Sequence, residues 1–130
     1  MIYLFTGEGG GKTVAALGLA LRSAGHGRKV MVIQFMKGRK NVGEYKAARR
    51  LSPHLKIFQF GRKGFVDLKR PLKKDLLLAR RGFEFAKKMI AQKPDLLVLD
   101  EINLAVAAGL LELKDVIDFL KKIPAKTDVV

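Results

Sequence analysis

Cysteine and tryptophan are absent from this 130-residue chain. Without cysteine there is no disulfide and no thiolate metal site. That absence fits a cytoplasmic setting, where thiols would stay reduced in any case. Acidic residues are scarce: 12 Asp and Glu stand against 26 Lys and Arg, a net charge of +14. Histidine occurs only as His26 and His54, in turn-like stretches with no partner at metal-ligand spacing. Both read as surface residues, and no Ser-His-Asp or Cys-His arrangement can be assembled. The two Asn and three Gln are also few, a profile that leans towards a thermophile. No apolar run reaches the roughly 18 residues that would mark a membrane span. The opening MIYLFTG lacks a basic region followed by a longer apolar one, so no signal peptide is expected.

What is present is a globular chain. Hydrophobic residues make up 48% of it, enough for one domain, residues 1–130, with its own core. Strand and helix patterns alternate. Residues 2–6 (IYLFT), 29–35 (KVMVIQF), 55–60 (LKIFQF) and 95–100 (DLLVLD) are expected as strands. Helices are expected over 12–24, 44–51, 75–91 and 112–122, with a loop over 61–74. In the 75–91 helix, Leu76, Ala79, Phe83, Ala86 and Ile90 share one face. In the last helix, Leu113, Val116, Ile117 and Leu120 do so. Asp128-Val129-Val130 reads as the opening of a fifth strand, as though the chain were truncated there. Near-continuous apolar strands between helices predict an α/β domain with a mostly parallel sheet covered on both faces.

The stretch TGEGGGKT, residues 6–13, carries the chemistry. Gly7, Gly9, Gly10 and Gly11 free the backbone to turn successive N–H groups inward as an anion nest. The helix that follows adds its N-terminal dipole. Lys12 supplies a full charge to a terminal phosphate, and the Thr13 hydroxyl is suited to magnesium. The spacing departs from the general G-x-x-x-x-G-K-[ST] pattern, because Thr6 stands where the first glycine would be.

Two further stretches end at the same edge of the expected sheet. LLVLDE closes an apolar strand with Asp100 and Glu101, carboxylates placed to reach a nucleotide's magnesium. QFMKG ends the second strand, bringing Gln34 and Lys37 towards a ligand or merely into a polar turn.

Together these pieces resemble the P-loop ATP:corrinoid adenosyltransferases. TGEGGGKT followed by AALGLALR is similar to that family's shortened loop. GHGRKVMVIQFMKG, Gly43-Glu44, Phe60-Gly61, Gly64-Phe65 and LLVLDEINLAVAAGLL resemble its later signatures, so the likeness covers nearly the whole chain. It implies a three-layer P-loop NTPase (RecA-like) fold, lacking an element at the C-terminus. It implies an enzyme that moves the 5′-deoxyadenosyl group of ATP onto cobalt(I) of a corrinoid, with triphosphate leaving and ATP lying reversed in the loop. Cobalt is the nucleophile, so no side chain is. By the same resemblance Gly7, Glu8, Gly9, Gly10, Gly11, Lys12 and Thr13 hold the triphosphate. Thr13 and Glu101 position magnesium, with Asp100 in support. Phe65 faces the corrinoid and helps displace its lower axial ligand. A homodimer and a separate reductant for cobalt are also implied.

The chain departs from the family pattern in places. Gly10 stands where the family usually has lysine, and Val14 where it has a second threonine. Asp67 stands where it often has tryptophan. The rival readings are a P-loop ATPase acting on nucleic acid, favoured by the charge, and a non-catalytic nucleotide-binding relative. Against the first, the basic residues are dispersed over residues 37–88, and few aromatics lie among them.

Overall fold

The computed structural model describes all of residues 1–130. Four strands form one parallel sheet, built on β1 (Val30–Phe35), β2 (Leu55–Phe60), β3 (Leu96–Asp100) and the short β4 (Asp128–Val129). Their spatial order is β2-β1-β3-β4. The helices are α1 (Lys12–Gly25), α2 (Gly43–Arg50), α3 (Lys73–Ile90), α4 (Ile102–Ala107) and α5 (Leu113–Lys121).

The pleat explains the layers. Successive side chains of a strand point to opposite faces, so a buried strand must feed two cores. Val30, Val32, Leu55, Ile57, Leu96 and Val98 pack on one face against Ala16, Ala20 and Ala24 of α1 and Ala48 of α2. The alanines recur every four residues, which lays a smooth stripe of α1 close against the sheet. Met31, Ile33, Phe35, Leu97 and Leu99 pack on the other face against α3, α4 and α5. There Phe83 of α3 meets Phe119 of α5 edge-on, with ring centroids 5.5 Å apart. This is the three-layer α/β arrangement of the P-loop fold.

Three expectations are corrected. Residues 2–6 do not form a buried strand. Met1 to Leu4 are exposed, and only Ile2 bridges to Val129. Tyr3 N–H donates to Val129 O and Val129 N–H to Met1 O, so the segment runs along the outer side of β4. β4 is two residues long, and Val130 carries its bonding to β3 one residue further: Val130 N–H donates to Leu97 O at 2.9 Å and Leu99 N–H to Val130 O at 2.8 Å. On α5, Leu113 and Ile117 lie 60% and 41% exposed, while Val116 and Phe119 are buried. The inward face is therefore turned by about one residue from the one read in the sequence. Finally, α4 follows β3, a helix absent from those expected from the sequence.

Candidate functional site

The register of the sheet builds a polar row at its carboxyl edge. Gln34 of β1 lies opposite both Gln59 of β2 and Asp100 of β3. Their side chains are joined as well. Gln59 Nε2 donates to Gln34 Oε1 at 3.0 Å, and Gln34 Nε2 donates to Asp100 Oδ2 at 3.0 Å. Gln34 is completely buried, so its amide is locked by these bonds. It orients Asp100 and does not itself face open space.

Asp100 is 6% exposed and binds three donors. Thr13, in the first turn of α1, gives its hydroxyl proton to Asp100 Oδ1 at 2.8 Å. Lys37 Nζ donates to Asp100 Oδ2 at 2.7 Å and to Thr13 Oγ1 at 2.9 Å. The structure thus brings Thr13, Asp100 and Lys37 into one cluster. Glu101, by contrast, makes no side-chain hydrogen bond there. It stands at the N-terminal cap position of α4 in a left-handed conformation (φ 66°).

The glycine loop joins β4's neighbouring edge segment to α1. Gly7 and Gly11 adopt φ of 134° and 118°, conformations that side chains rarely tolerate. Lys12 folds back so that Nζ donates to Gly7 O at 2.6 Å and Gly9 O at 2.9 Å. The charge therefore sits inside the curl of the loop. Glu8 and Gly7 face a cavity of about 590 Å³, together with Lys12, Asp100 and Glu101.

A second cavity of about 390 Å³ lies beside the first, lined by Lys37, Arg39, Gln59, Arg62 and Phe65 among others. Glu101 and Leu104 line both cavities. Phe65 is 88% exposed, with the Arg39 guanidinium 5.1 Å from its ring centroid. The loop that carries Phe65 is anchored by Arg62, which binds Asp75 through Nε (2.6 Å) and Nη2 (3.1 Å). Asp75, 3% exposed, also accepts the Leu72 N–H at 2.9 Å and so ties the loop to the start of α3. The Arg62 hydrogen bond holds the Asp75 carboxyl below the ordinary carboxylate range, against the opposing effect of burial. Asp67, in the same loop, accepts the Lys69 N–H at 2.9 Å and so shapes a local turn.

Sequence reading missed three features here: the Gln59–Gln34 relay, the Arg62–Asp75 anchor and the Arg39–Phe65 contact. Only the first had a signal. Both glutamines sit one residue before a terminal phenylalanine of parallel strands, the position that register would align.

Magnesium in P-loop sites typically takes one or two protein oxygens and completes its shell with phosphates and water. No group of three or more His, Cys, Asp or Glu side chains is arranged to hold a metal ion by itself. The donor set fits. Thr13 spends its proton on Asp100, and its oxygen is left to accept from a cation, as it does here from the Lys37 ammonium.

The parallel sheet flanked by helices, with a glycine loop leading into α1, is the arrangement of a P-loop fold. Residues 1–130 match the family described as ATP:corrinoid adenosyltransferase BtuR/CobO/CobP, and the chain belongs to that family. It is 38% identical over 131 residues to the corrinoid adenosyltransferase of Escherichia coli (strain K12). It is 37% identical over 131 residues to the corrinoid adenosyltransferase CobA of Salmonella typhimurium, and 35% identical over 132 to that of Pseudomonas aeruginosa. Each comparison covers 100% of this chain and 64–65% of the relative. The chain thus spans a little under two thirds of the length of these relatives. No helix is long and apolar enough to cross a membrane.

Proposed function

We propose that this chain moves the 5′-deoxyadenosyl group of ATP onto cobalt(I) of a corrinoid, in the synthesis or salvage of adenosylcobalamin. The observation that carries the reading is the pair of cavities with a shared wall at Glu101 and Leu104. One holds the phosphate loop and the other carries an exposed aromatic ring. A transfer between two large substrates needs adjoining chambers of this kind.

In the reaction, cobalt(I) gives an electron pair to C5′ of the ribose. The C5′–O bond breaks, and its electrons leave with triphosphate. Cobalt becomes formally cobalt(III), and no side chain forms a covalent bond. The chain's task is to bind, orient and neutralise. Lys12 turns from the carbonyls of Gly7 and Gly9 to the triphosphate, and the backbone of Gly7 to Thr13 cradles it. Thr13 and Asp100, with Glu101 at the cavity wall, would hold magnesium, which supplies charge to stabilise the leaving triphosphate. Phe65 presents its face to the corrinoid. The reading also includes a homodimer, a cytoplasmic setting and an external reductant that delivers cobalt(I).

The test is direct. Cobalamin reduced to cobalt(I) under anaerobic conditions is mixed with ATP, magnesium and the folded chain, and formation of the cobalt–carbon bond is followed by absorbance. Product above the protein-free control is expected. Its absence overturns the reading, and phosphate release stimulated by nucleic acid would put an ATPase in its place.

A further inference from the structure

The cluster at the base of the glycine loop already contains a cation. Lys37 Nζ touches Thr13 Oγ1 and Asp100 Oδ2, the two side chains proposed to hold magnesium. We propose that Lys37 is a built-in counter-ion: it occupies the metal position in the nucleotide-free protein, holds Thr13 and Asp100 in place, and yields only when metal arrives with nucleotide. This inference rests on the assignment of Thr13 and Asp100 to the metal.

Three observations carry it. First, Asp100 is nearly buried, and a buried carboxylate without a cation is strongly disfavoured. The Lys37 ammonium satisfies that need without metal. A divalent ion arriving alone must displace a bonded ammonium and then share the site with a like charge. At so short a separation in a partly buried site that repulsion weakens the binding of a metal that comes alone. A metal that comes with triphosphate brings the compensating negative charge with it.

Second, the backbone is built to aim Lys37 at the cluster. Met36 adopts φ 56°, a left-handed conformation costly for a residue with a side chain. It reverses the chain just past β1 and points Lys37 back over the sheet edge. Gly38 and Gly61 cross so closely that a Cβ on either would run into the other loop's backbone, including the amide nitrogen of Lys37. The turn is therefore clamped on both sides of Lys37.

Third, the ammonium has somewhere to go. Lys37 is 30% exposed and lines the second cavity, whose wall also carries Glu44 and Glu101. A flexible lysine stem can swing its charge from Asp100 towards Glu44, away from the carboxylates assigned to the metal.

Manganese(II) replaces magnesium as the probe, and its binding is measured by electron paramagnetic resonance. Lys37→Met, with folding checked by thermal melting, is expected to bind manganese alone about tenfold more tightly than the unaltered chain. Lys37→Arg is expected to stay close to the unaltered chain. With ATP present, the unaltered chain binds manganese readily. Equal affinity of Lys37→Met and the unaltered chain for manganese alone, when manganese with ATP does bind, overturns the inference and leaves the metal assignment standing. No bound manganese even with ATP overturns both. A measurement on the unaltered chain needs no variant: the 15N-detected Lys37 ammonium signal should shift with magnesium and ATP together, and stay put with magnesium alone at the same concentration. A shift of equal size with magnesium alone also overturns the inference.

Discussion

Thr13 and Asp100 lie 87 residues apart, and the Thr13 hydroxyl donates to the Asp100 carboxylate at 2.8 Å. One residue opens α1 and the other closes β3. The hydrogen bond therefore welds the phosphate loop to the edge of the sheet. It exists because α1 packs its alanine stripe directly over β1 and β3, which leaves the first turn of the helix above the end of β3.

Asp100→Asn tests that weld. An asparagine keeps the volume but removes the charge that Lys37 needs. It also turns one accepting oxygen into a donor facing Thr13, Gln34 or Lys37. A loss of about 1–3 kcal/mol in stability is expected, read by denaturant unfolding. Manganese affinity in the presence of ATP should fall by about 10–100-fold. Unchanged metal affinity in a folded variant would remove Asp100 from the metal site.

Lys12 makes a separate prediction. Its ammonium is held only by the Gly7 and Gly9 carbonyls and by no carboxylate. Lys12→Ala should therefore leave the melting temperature nearly unchanged. ATP affinity should fall by roughly 10–100-fold, since a charge-assisted hydrogen bond contributes about 1.5–3 kcal/mol. Calorimetric titration with ATP gives the answer.

Much of this architecture was legible in the sequence, and the reasons are physical. Apolar strands such as VMVIQF and LLVLD leave no alternative to burial on both faces. The glycine loop is a local feature, with its chemistry written in consecutive residues. The edge segment Met1–Leu4 was misread because a strand pattern does not say which neighbours will be available. On α5, the face read from Leu113, Val116, Ile117 and Leu120 is turned by about one residue, because Phe119 packs inward against Phe83. Asp75 was invisible as an anchor because its partner Arg62 sits 13 residues away in a loop without periodicity. The left-handed backbone at Glu101 is likewise a feature that no residue pattern announces.

The Arg62–Asp75 pair gives a pH dependence. The Asp75 carboxyl is held below its ordinary range, so the folded state binds this proton more weakly than the unfolded one. Its stabilising contribution is full above the unfolded carboxylate value, about 3.9. It is lost as pH falls through the lower folded value. The unaltered chain should melt higher than Asp75→Asn at neutral pH, and the gap should shrink below about pH 4. Melting followed from pH 7 down to pH 3 checks this. A gap that is constant across that range would show that the charge plays no part.

Phe65 separates binding from folding. Its ring is exposed and touches only the Arg39 guanidinium among charged groups, a contact of about 0.5–1 kcal/mol at such a site. Phe65→Ala should leave stability nearly unaltered. Under the transferase reading it should lower the rate of cobalt–carbon bond formation, with ATP affinity unchanged. Equal rates for both chains would take Phe65 out of the corrinoid site.

Gly10 leaves room inside the glycine loop for a side chain. A Cβ at Gly10 meets nothing within 4 Å, and its φ is not in the left-handed range that marks Gly7 and Gly11. A side chain is therefore sterically free at Gly10 and strained at Gly11. Gly10→Lys should fold as stably as the unaltered chain, whereas Gly11→Lys should be destabilised by about 1 kcal/mol or more. The added ammonium at Gly10 stands beside the curl that Lys12 occupies, and its attraction for triphosphate is that of an exposed charge. An improvement in ATP affinity of about two- to fivefold is expected, in line with the 0.2–1 kcal/mol or so that exposed ion pairs contribute. The gain should fade in high salt, because exposed charges are screened. Titration of ATP at low and high ionic strength measures it. A Gly10→Lys chain that binds ATP no better at low salt would place position 10 outside the reach of the triphosphate.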